Sequence, residues 1–419
     1  MPEENQWLPL FANQAGEVME SPGLTMLGRS GNQWVIPERG EMIPLPKGAS
    51  LIFVPERIPV GWDGKQPRLI GQATGDVTAQ VVAALLPQGF TRTLLPAYVS
   101  PRVETPVPLY GYAAVGFRRG RIWVAAVQND EHRKWHPRYY NTEGLPGRIS
   151  RILAKFPSNR LLRQLANCSL QYGCYTAQNI FYQRWEGGLP TMAACNADCL
   201  GCISQDHLGI ESPQHRLTFC PSITEISELG LEHLKHAREG IISFGQGCEG
   251  EPSLNASDLA IAIRIIRQDT DRGTININTN AGYTEGIKQL CRSGLDAMRV
   301  TMFSSRDENY MLYHRPKNYR LRDVTTSISY AHETGVKVSI NLLTMPGFTD
   351  RVDEIESLLS FVREYEVDMI QLRNLNIDAD LLFERISDGG ETTGVGRMIA
   401  ILRQELPGVV VGSYTYPVR

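Results

Sequence analysis

Eight cysteines are spread unevenly over 419 residues: Cys168, Cys174, Cys195, Cys199, Cys202, Cys220, Cys248 and Cys291, six of them between positions 168 and 220. In a reducing compartment, clustered thiols point to metal binding or catalysis rather than to disulfides. Inside the cluster, Cys195-Asn196-Ala197-Asp198-Cys199-Leu200-Gly201-Cys202 places three thiols with three and then two residues between them. The count of three is informative. Four thiolates close a tetrahedral zinc or saturate an iron–sulfur cluster, whereas three leave one iron of a 4Fe-4S cluster open to an outside ligand. The competing reading is a structural zinc site completed by Cys220 or His207.

Further chemistry-bearing residues follow in order along the chain. Gly247-Cys248-Glu249-Gly250-Glu251-Pro252 combines a carboxylate, which can accept from an ammonium, with glycines that permit close backbone approach. Asn278-Thr279-Asn280, Arg299-Val300-Thr301-Met302-Phe303-Ser304 and Gln371-Leu372-Arg373-Asn374 each place polar side chains where an apolar run ends. This ordered set resembles the motifs of the radical S-adenosylmethionine (SAM) superfamily, over residues from about 190 to 380. The resemblance implies a 4Fe-4S cluster on Cys195, Cys199 and Cys202, with SAM on its open iron. It also implies that Gly250, Glu251 and Pro252 hold the SAM amine, that Asn278 and Asn280 reach ribose or carboxylate, and that Thr301 or Ser304 meets the nucleoside. By the same resemblance Arg373 docks a carboxylate of SAM or substrate. The implied reaction is reductive cleavage of SAM to a 5′-deoxyadenosyl radical that abstracts hydrogen from a substrate. Its electron comes from a low-potential donor such as a flavodoxin or ferredoxin. Two departures stand out: Gly201 occupies the position of an aromatic before the third cysteine, leaving the adenine contact to Ile203 or another residue, and Asn341 to Gly347 replace a Gly-x-Ile-x-Gly pattern.

These residues need a scaffold that brings distant segments to one face. From ISFGQ through TININTN, AMRVTMF, VKVSINLL and MIQLRNL, apolar runs alternate with amphipathic segments, which implies a parallel sheet with helices outside. The expected fold is α/β, a partial (β/α)6 TIM-type barrel over 189–419 with a C-terminal extension, whose chemistry sits at the C-terminal strand ends. Leu259, Ala262, Ile263 and Ile266 share one helix face, Ser222 and Glu225 make a capping box, and Asp350 is expected to cap the helix after the fifth strand. Residues 1–147 read as a β-rich accessory domain, with a hairpin of LYGYAAVGF and IWVAAVQ about Arg118-Arg119-Gly120-Arg121, and 148–188 as a helical bridge.

Other features bound the function. No run of about twenty apolar residues can cross a bilayer, and the N-terminus lacks the pattern of a signal peptide, so a cytoplasmic protein without a membrane partner is expected. A net charge of −3 provides no general attraction for nucleic acid. A non-enzymatic zinc or nucleic-acid module and an iron–sulfur electron carrier remain as rival classes. Cys168 and Cys174, six residues apart, would face different ways on one helix, so they read as buried thiols rather than as ligands of a second cluster with Cys220 or Cys248. Trp135, Tyr139 and Tyr140 read as core, and His314-Arg315-Pro316, with Tyr310 and Tyr313 nearby, either faces the substrate or forms a solvated loop before the proline.

Overall fold

The computed structural model describes residues 6–71, 79–101, 106–130, 134–206, 209–386 and 389–419. The fold rests on a parallel sheet of seven strands in sequence order: β1 (Arg184–Gly188), β2 (Arg238–Phe244), β3 (Thr274–Thr279), β4 (Ala297–Met302), β5 (Lys337–Thr344), β6 (Met369–Asn374) and β7 (Val410–Gly412). β1 and β7 are the two ends of the sheet, so the barrel is partial. The six expected strands are joined by the short β7, which pairs with the first half of β6. β1 lies inside the stretch expected to be a helical bridge. Before it come α1 (Leu145–Lys155), α2 (Arg160–Gln171) and α3 (Tyr175–Tyr182).

Helices α4 (Ile223–His236), α5 (Ala256–Asp269), α6 (Thr284–Cys291), α7 (Asp307–His314), α8 (Leu321–Glu333), α9 (Val352–Glu364), α10 (Ala379–Phe383) and α11 (Val395–Glu405) connect the strands. Their apolar faces and the outward strand residues form one continuous core, which includes Leu259, Ala262, Ile263 and Ile266 of α5. The Ser222–Glu225 capping box forms at the start of α4. Asp350 does not cap α9: Arg351 occupies that position, and the Asp350 carboxylate instead accepts from Gly347 N at 2.7 Å, closing the turn after β5. Burial pushes its carboxyl up to about 6.

Inward-facing positions alternate with that core and are polar, unlike the continuous apolar runs usual in buried parallel strands. Glu186 of β1, Ser243 of β2, Asn276 and Asn278 of β3, Arg299 and Thr301 of β4, Asn341 of β5, and Gln371 and Arg373 of β6 occupy these positions. After β7 the chain crosses back beneath the lumen. Gln371 donates to Ser413 O at 3.1 Å, Thr415 donates to Glu186 at 2.7 Å, and Val418 N donates to Thr274 Oγ1 at 2.7 Å.

Residues before 130 form antiparallel sheets centred on the expected hairpin, Tyr112–Arg118 with Arg121–Gln128. Its turn residues Arg119 and Gly120 both have positive φ, as a two-residue hairpin turn requires. Arg118 lies over the rings of Trp7 and Trp123. Three other arginines fasten this region to the C-terminal ends of β5 and β6. Arg29 pairs with Asp380, Arg57 pairs with Asp378 at 3.2 Å, and Arg92 donates to Leu375 O at 2.7 Å. Asn374 completes the junction, accepting from Arg92 N at 2.9 Å and donating to Phe90 O at 3.1 Å.

The Arg57 and Asp378 side chains are each only 1% exposed. Losing one member of such a pair leaves a charge without full compensation, so Asp378→Ala is expected to cost about 3–5 kcal/mol of stability. Chemical denaturation checks this; a loss below about 1 kcal/mol would show that the junction does not rest on the pair.

Candidate functional site

The three-thiol motif lies just past β1, in a stretch from 191 to 206 that forms neither helix nor extended strand. Such a segment has no hydrogen-bond ladder of its own, so its neighbours must satisfy its backbone. The residues after β2 do most of this. The buried Glu249 carboxylate accepts from Thr191 N at 2.6 Å, Met192 N at 3.1 Å, Gly245 N at 2.7 Å and Gln246 N at 2.6 Å, and also from the Thr191 hydroxyl. Gly250 N then donates to Met192 O at 2.7 Å and Glu251 N to Ala194 O at 2.8 Å. A Cβ on Gly250 would stand 2.0 Å from the Ala194 carbonyl oxygen, so only glycine fits. From β3, Asn280 donates to the Asn196 side chain at 2.7 Å. From the end of α7, the carbonyls of Tyr313 and His314 accept from Leu200 N and Asp198 N, while Lys317 N donates to Asn196 O.

This scaffold gathers the thiols of Cys195, Cys199 and Cys202 within electrostatic reach of one another. Burial, reinforced by Cys195 and Cys202, holds the Cys199 thiol well above its ordinary range. Burial, with Glu251 and Cys202 adding to it, pushes Cys195 up to about 11. Such a set favours a positively charged occupant, and its soft donors suit iron and sulfide. Among the described residues, no three His, Cys, Asp or Glu side chains surround the position of a single metal ion. Cys220 is exposed, and His207 lies outside the described residues.

Two neighbours of the thiols escaped the reading of motifs. Arg216 approaches Cys202 Sγ at 3.7 Å and Ser204 Oγ at 3.2 Å, bringing a cation to a thiolate or an anionic cluster. His314 stands 3.5 Å from Cys199 Sγ through Nδ1, and its Nε2 accepts from Phe303 N at 3.3 Å. Burial pulls the imidazole down to about 3, so it is neutral. With Nε2 accepting, the proton sits on Nδ1 and points at the Cys199 sulfur. The solvated-loop alternative at His314 is therefore corrected. Tyr310, Tyr313 and His314 are buried, because α7 runs directly into the thiol segment. Its nearness in space has no signal in local sequence.

The residues matched to SAM contacts divide by what already occupies them. Glu251 is buried rather than exposed, and accepts from Thr279 Oγ1, from Ser253 N at 3.0 Å and from Asn280 N at 2.8 Å. It joins β2 to β3, while Pro252 begins the short 3-10 helix that follows. Asn278 donates to Gly245 O at 2.7 Å, and the Asn280 side chain also accepts from Gly282 N. Ser304 turns away from the lumen, donating to Glu354 at 2.6 Å and accepting from Arg306 N. That correction follows from the chain leaving β4 at Met302. Thr301 remains lumenal, 3.5 Å from Asn341. The position of Gly201 is filled from outside the motif, since a Cβ there would meet the Tyr313 hydroxyl at 2.7 Å. Ile203 packs toward Gly247 instead.

The Arg373 guanidinium makes no hydrogen bond among the described residues and stands in the lumen near Glu186, Arg299 and Asp130, while its backbone carbonyl accepts from Thr344 Oγ1 at 2.9 Å. Burial lowers it to about 10, with Arg299 adding to the effect, so it stays cationic near neutral pH. Burial opposes the charge of Glu186, but Arg299, Thr415, Ser243 and Arg373 outweigh it and hold the carboxyl below its ordinary range. Arg299 and Arg373 face Glu186, and Asp130 is a further carboxylate acting on Arg373. Trp135 and Tyr140 are buried with Tyr414, and Tyr140 stacks on Tyr175 at 3.7 Å between ring centres.

A family model described as the Radical SAM superfamily matches residues 189–362. Among curated proteins, the probable dual-specificity RNA methyltransferase RlmN of Thermotoga maritima is 23% identical over 187 residues, covering 43% of this chain and 52% of that protein. Its counterpart from Prochlorococcus marinus subsp. pastoris is 23% identical over 201 residues, covering 45% and 55%. The chain thus spans about half the length of the curated relatives it matches. A solved radical SAM methyltransferase from Sphaerobacter thermophilus aligns with TM-score 0.40 and 18% identity, over 55% of this chain and 66% of that one.

Because Gly250 has no room for a methyl group, Gly250→Ala should displace the thiol segment. Anaerobic reconstitution with iron and sulfide is expected to load at most about half the wild-type iron, with an unchanged far-ultraviolet spectrum. Full loading would show that the contact is dispensable.

Proposed function

We propose that this chain, whose residues 189–362 form a radical SAM domain, is an enzyme that cleaves SAM reductively and uses the resulting radical to take a hydrogen atom from a substrate in its lumen. When bound on three thiolates, a 4Fe-4S cluster supplies one electron that splits SAM into methionine and a 5′-deoxyadenosyl radical. Every other part of the task falls to the chain itself. Cys195, Cys199 and Cys202 hold the cluster, and His314 Nδ1–H and Arg216 donate toward two of their sulfurs. Hydrogen bonds to such sulfurs are one of the levers that set reduction potential.

The observation that carries this reading is the interlock at Gly250. The three-thiol segment and the strand-end motif meet backbone to backbone at a contact too close for any side chain. A ligand on the cluster would therefore lie against residues 247–252 and the ends of β3 and β4. Since the Glu251 carboxylate is committed to β3, the backbone of this motif, not that side chain, is the part offered to an ammonium group. Arg373 is offered to a carboxylate, and Thr301 to a hydroxyl or ring edge. Polar side chains around the lumen orient a substrate, while the N-terminal sheets and the tail after β7 restrict water, which limits side reactions of a radical. The electron is expected from a low-potential donor such as a flavodoxin or ferredoxin. Among the described residues no helix is long and apolar enough to cross a membrane.

The reading is tested by adding reductant and SAM to the reconstituted protein and separating the products. Wild type should form 5′-deoxyadenosine, and Cys199→Ala should form none above the enzyme-free level. Arg373→Ala should keep its cluster spectrum and raise the SAM or substrate concentration needed by about tenfold or more, the loss of a charge-assisted contact. Absence of product from a fully loaded, reduced wild type would overturn the proposal.

A further inference from the structure

Three thiols that the site above does not use also stand together. Cys168 lies on the buried face of α2, Cys174 is the N-cap of α3, and Cys248 follows β2 between Gly247 and Glu249. They would diverge on one continuous helix, but α2 ends at Gln171 and Gly173 takes a positive φ. The chain reverses there, and Cys174 N donates to Cys168 O at 3.1 Å. All three cysteines are free, and all three line one solvent-open pocket of about 370 Å³. Gln88, Gln246 and Ile203 are among the other residues of its wall, which contains no Asp, Glu, Lys, Arg or His among the described residues.

We propose that Cys168, Cys174 and Cys248 hold a second iron–sulfur cluster in this cavity, distinct from the one assigned to Cys195, Cys199 and Cys202. The pocket's only strong ligands are soft thiols, which select iron–sulfur and similar centres over hard cations such as magnesium or calcium. A cluster, with one thiolate per iron, suits three thiols that line one open pocket, and among the described residues no three ligating side chains surround a single-ion position. Each ligating thiol releases its proton to solvent as iron binds. Three thiolates would leave one iron of a four-iron cluster open to a further ligand, and Gln246 and Gln88 are in the pocket wall.

Iron and sulfide counting after anaerobic reconstitution tests this independently of SAM cleavage. The variant Cys195→Ala/Cys199→Ala/Cys202→Ala is expected to keep about half of the wild-type iron and its brown colour, and Cys168→Ala/Cys174→Ala to lose about half. An iron-free first variant that is folded by circular dichroism, or wild-type iron in the folded second variant, would overturn the second cluster while leaving the proposed reaction standing. Should alanine disturb the packing of α2, Cys174→Ser provides the same decision: an altered electron paramagnetic resonance signal of the reduced protein supports ligation, and an unchanged signal overturns it. A Cys168–Cys248 disulfide in the fully reconstituted wild type would also overturn it.

Discussion

Four backbone N–H groups and a hydroxyl converge on the buried carboxylate of Glu249, and the rest of the site depends on that convergence. The segment bearing Cys195, Cys199 and Cys202 cannot fold by local hydrogen bonding. Buried peptide groups without partners are costly, so an irregular segment stays in place only where fixed acceptors and donors meet it. Glu249 provides them from the end of β2, and Gly250 and Glu251 continue the seam. Burial pushes the Glu249 carboxyl up to about 7 against the pull of those donors, which shows how far from water the joint lies.

The same logic of satisfied polar groups shapes the surroundings. A lumen lined by Glu186, Ser243, Asn276, Arg299 and Gln371 is tolerable because each side chain bonds another lumenal group or the tail after β7. Among the described residues the Arg373 guanidinium makes no hydrogen bond, and a cation with donors to spare at a strand end is where an anionic group gains most. Arg29, Arg57 and Arg92 reach from the N-terminal sheets into the ends of β5 and β6, making that region part of the chamber rather than an appendage.

Much of the arrangement was legible from residue order. Alternating apolar runs and amphipathic stripes mark β2 to β6 and their helices, because periods of 2 and 3.6 record which face is buried. The hairpin at Arg119-Gly120 and the cap at Ser222 are equally local, needing only turn chemistry and a four-residue spacing. Asp350 was misread because an acidic residue before a helix usually caps it, whereas here the turn at Gly347 competes for its carboxylate. Cys168 and Cys174 do not diverge on one helix, because α2 ends at Gln171 and Gly173 turns the chain.

By itself, then, the sequence determined the alternating α/β class, the three-thiol motif with its one-ligand deficit, and the order of polar strand ends. Only the tertiary structure decided that Glu251 and Ser304 are structural ties, that the Arg373 guanidinium faces the lumen, that His314 and Arg216 attend the thiols, and that Cys168, Cys174 and Cys248 share a pocket. The physical reason is one of range. Backbone propensity and burial period act over a few residues and are written locally, whereas which buried polar group meets which depends on contacts between segments tens to hundreds of positions apart.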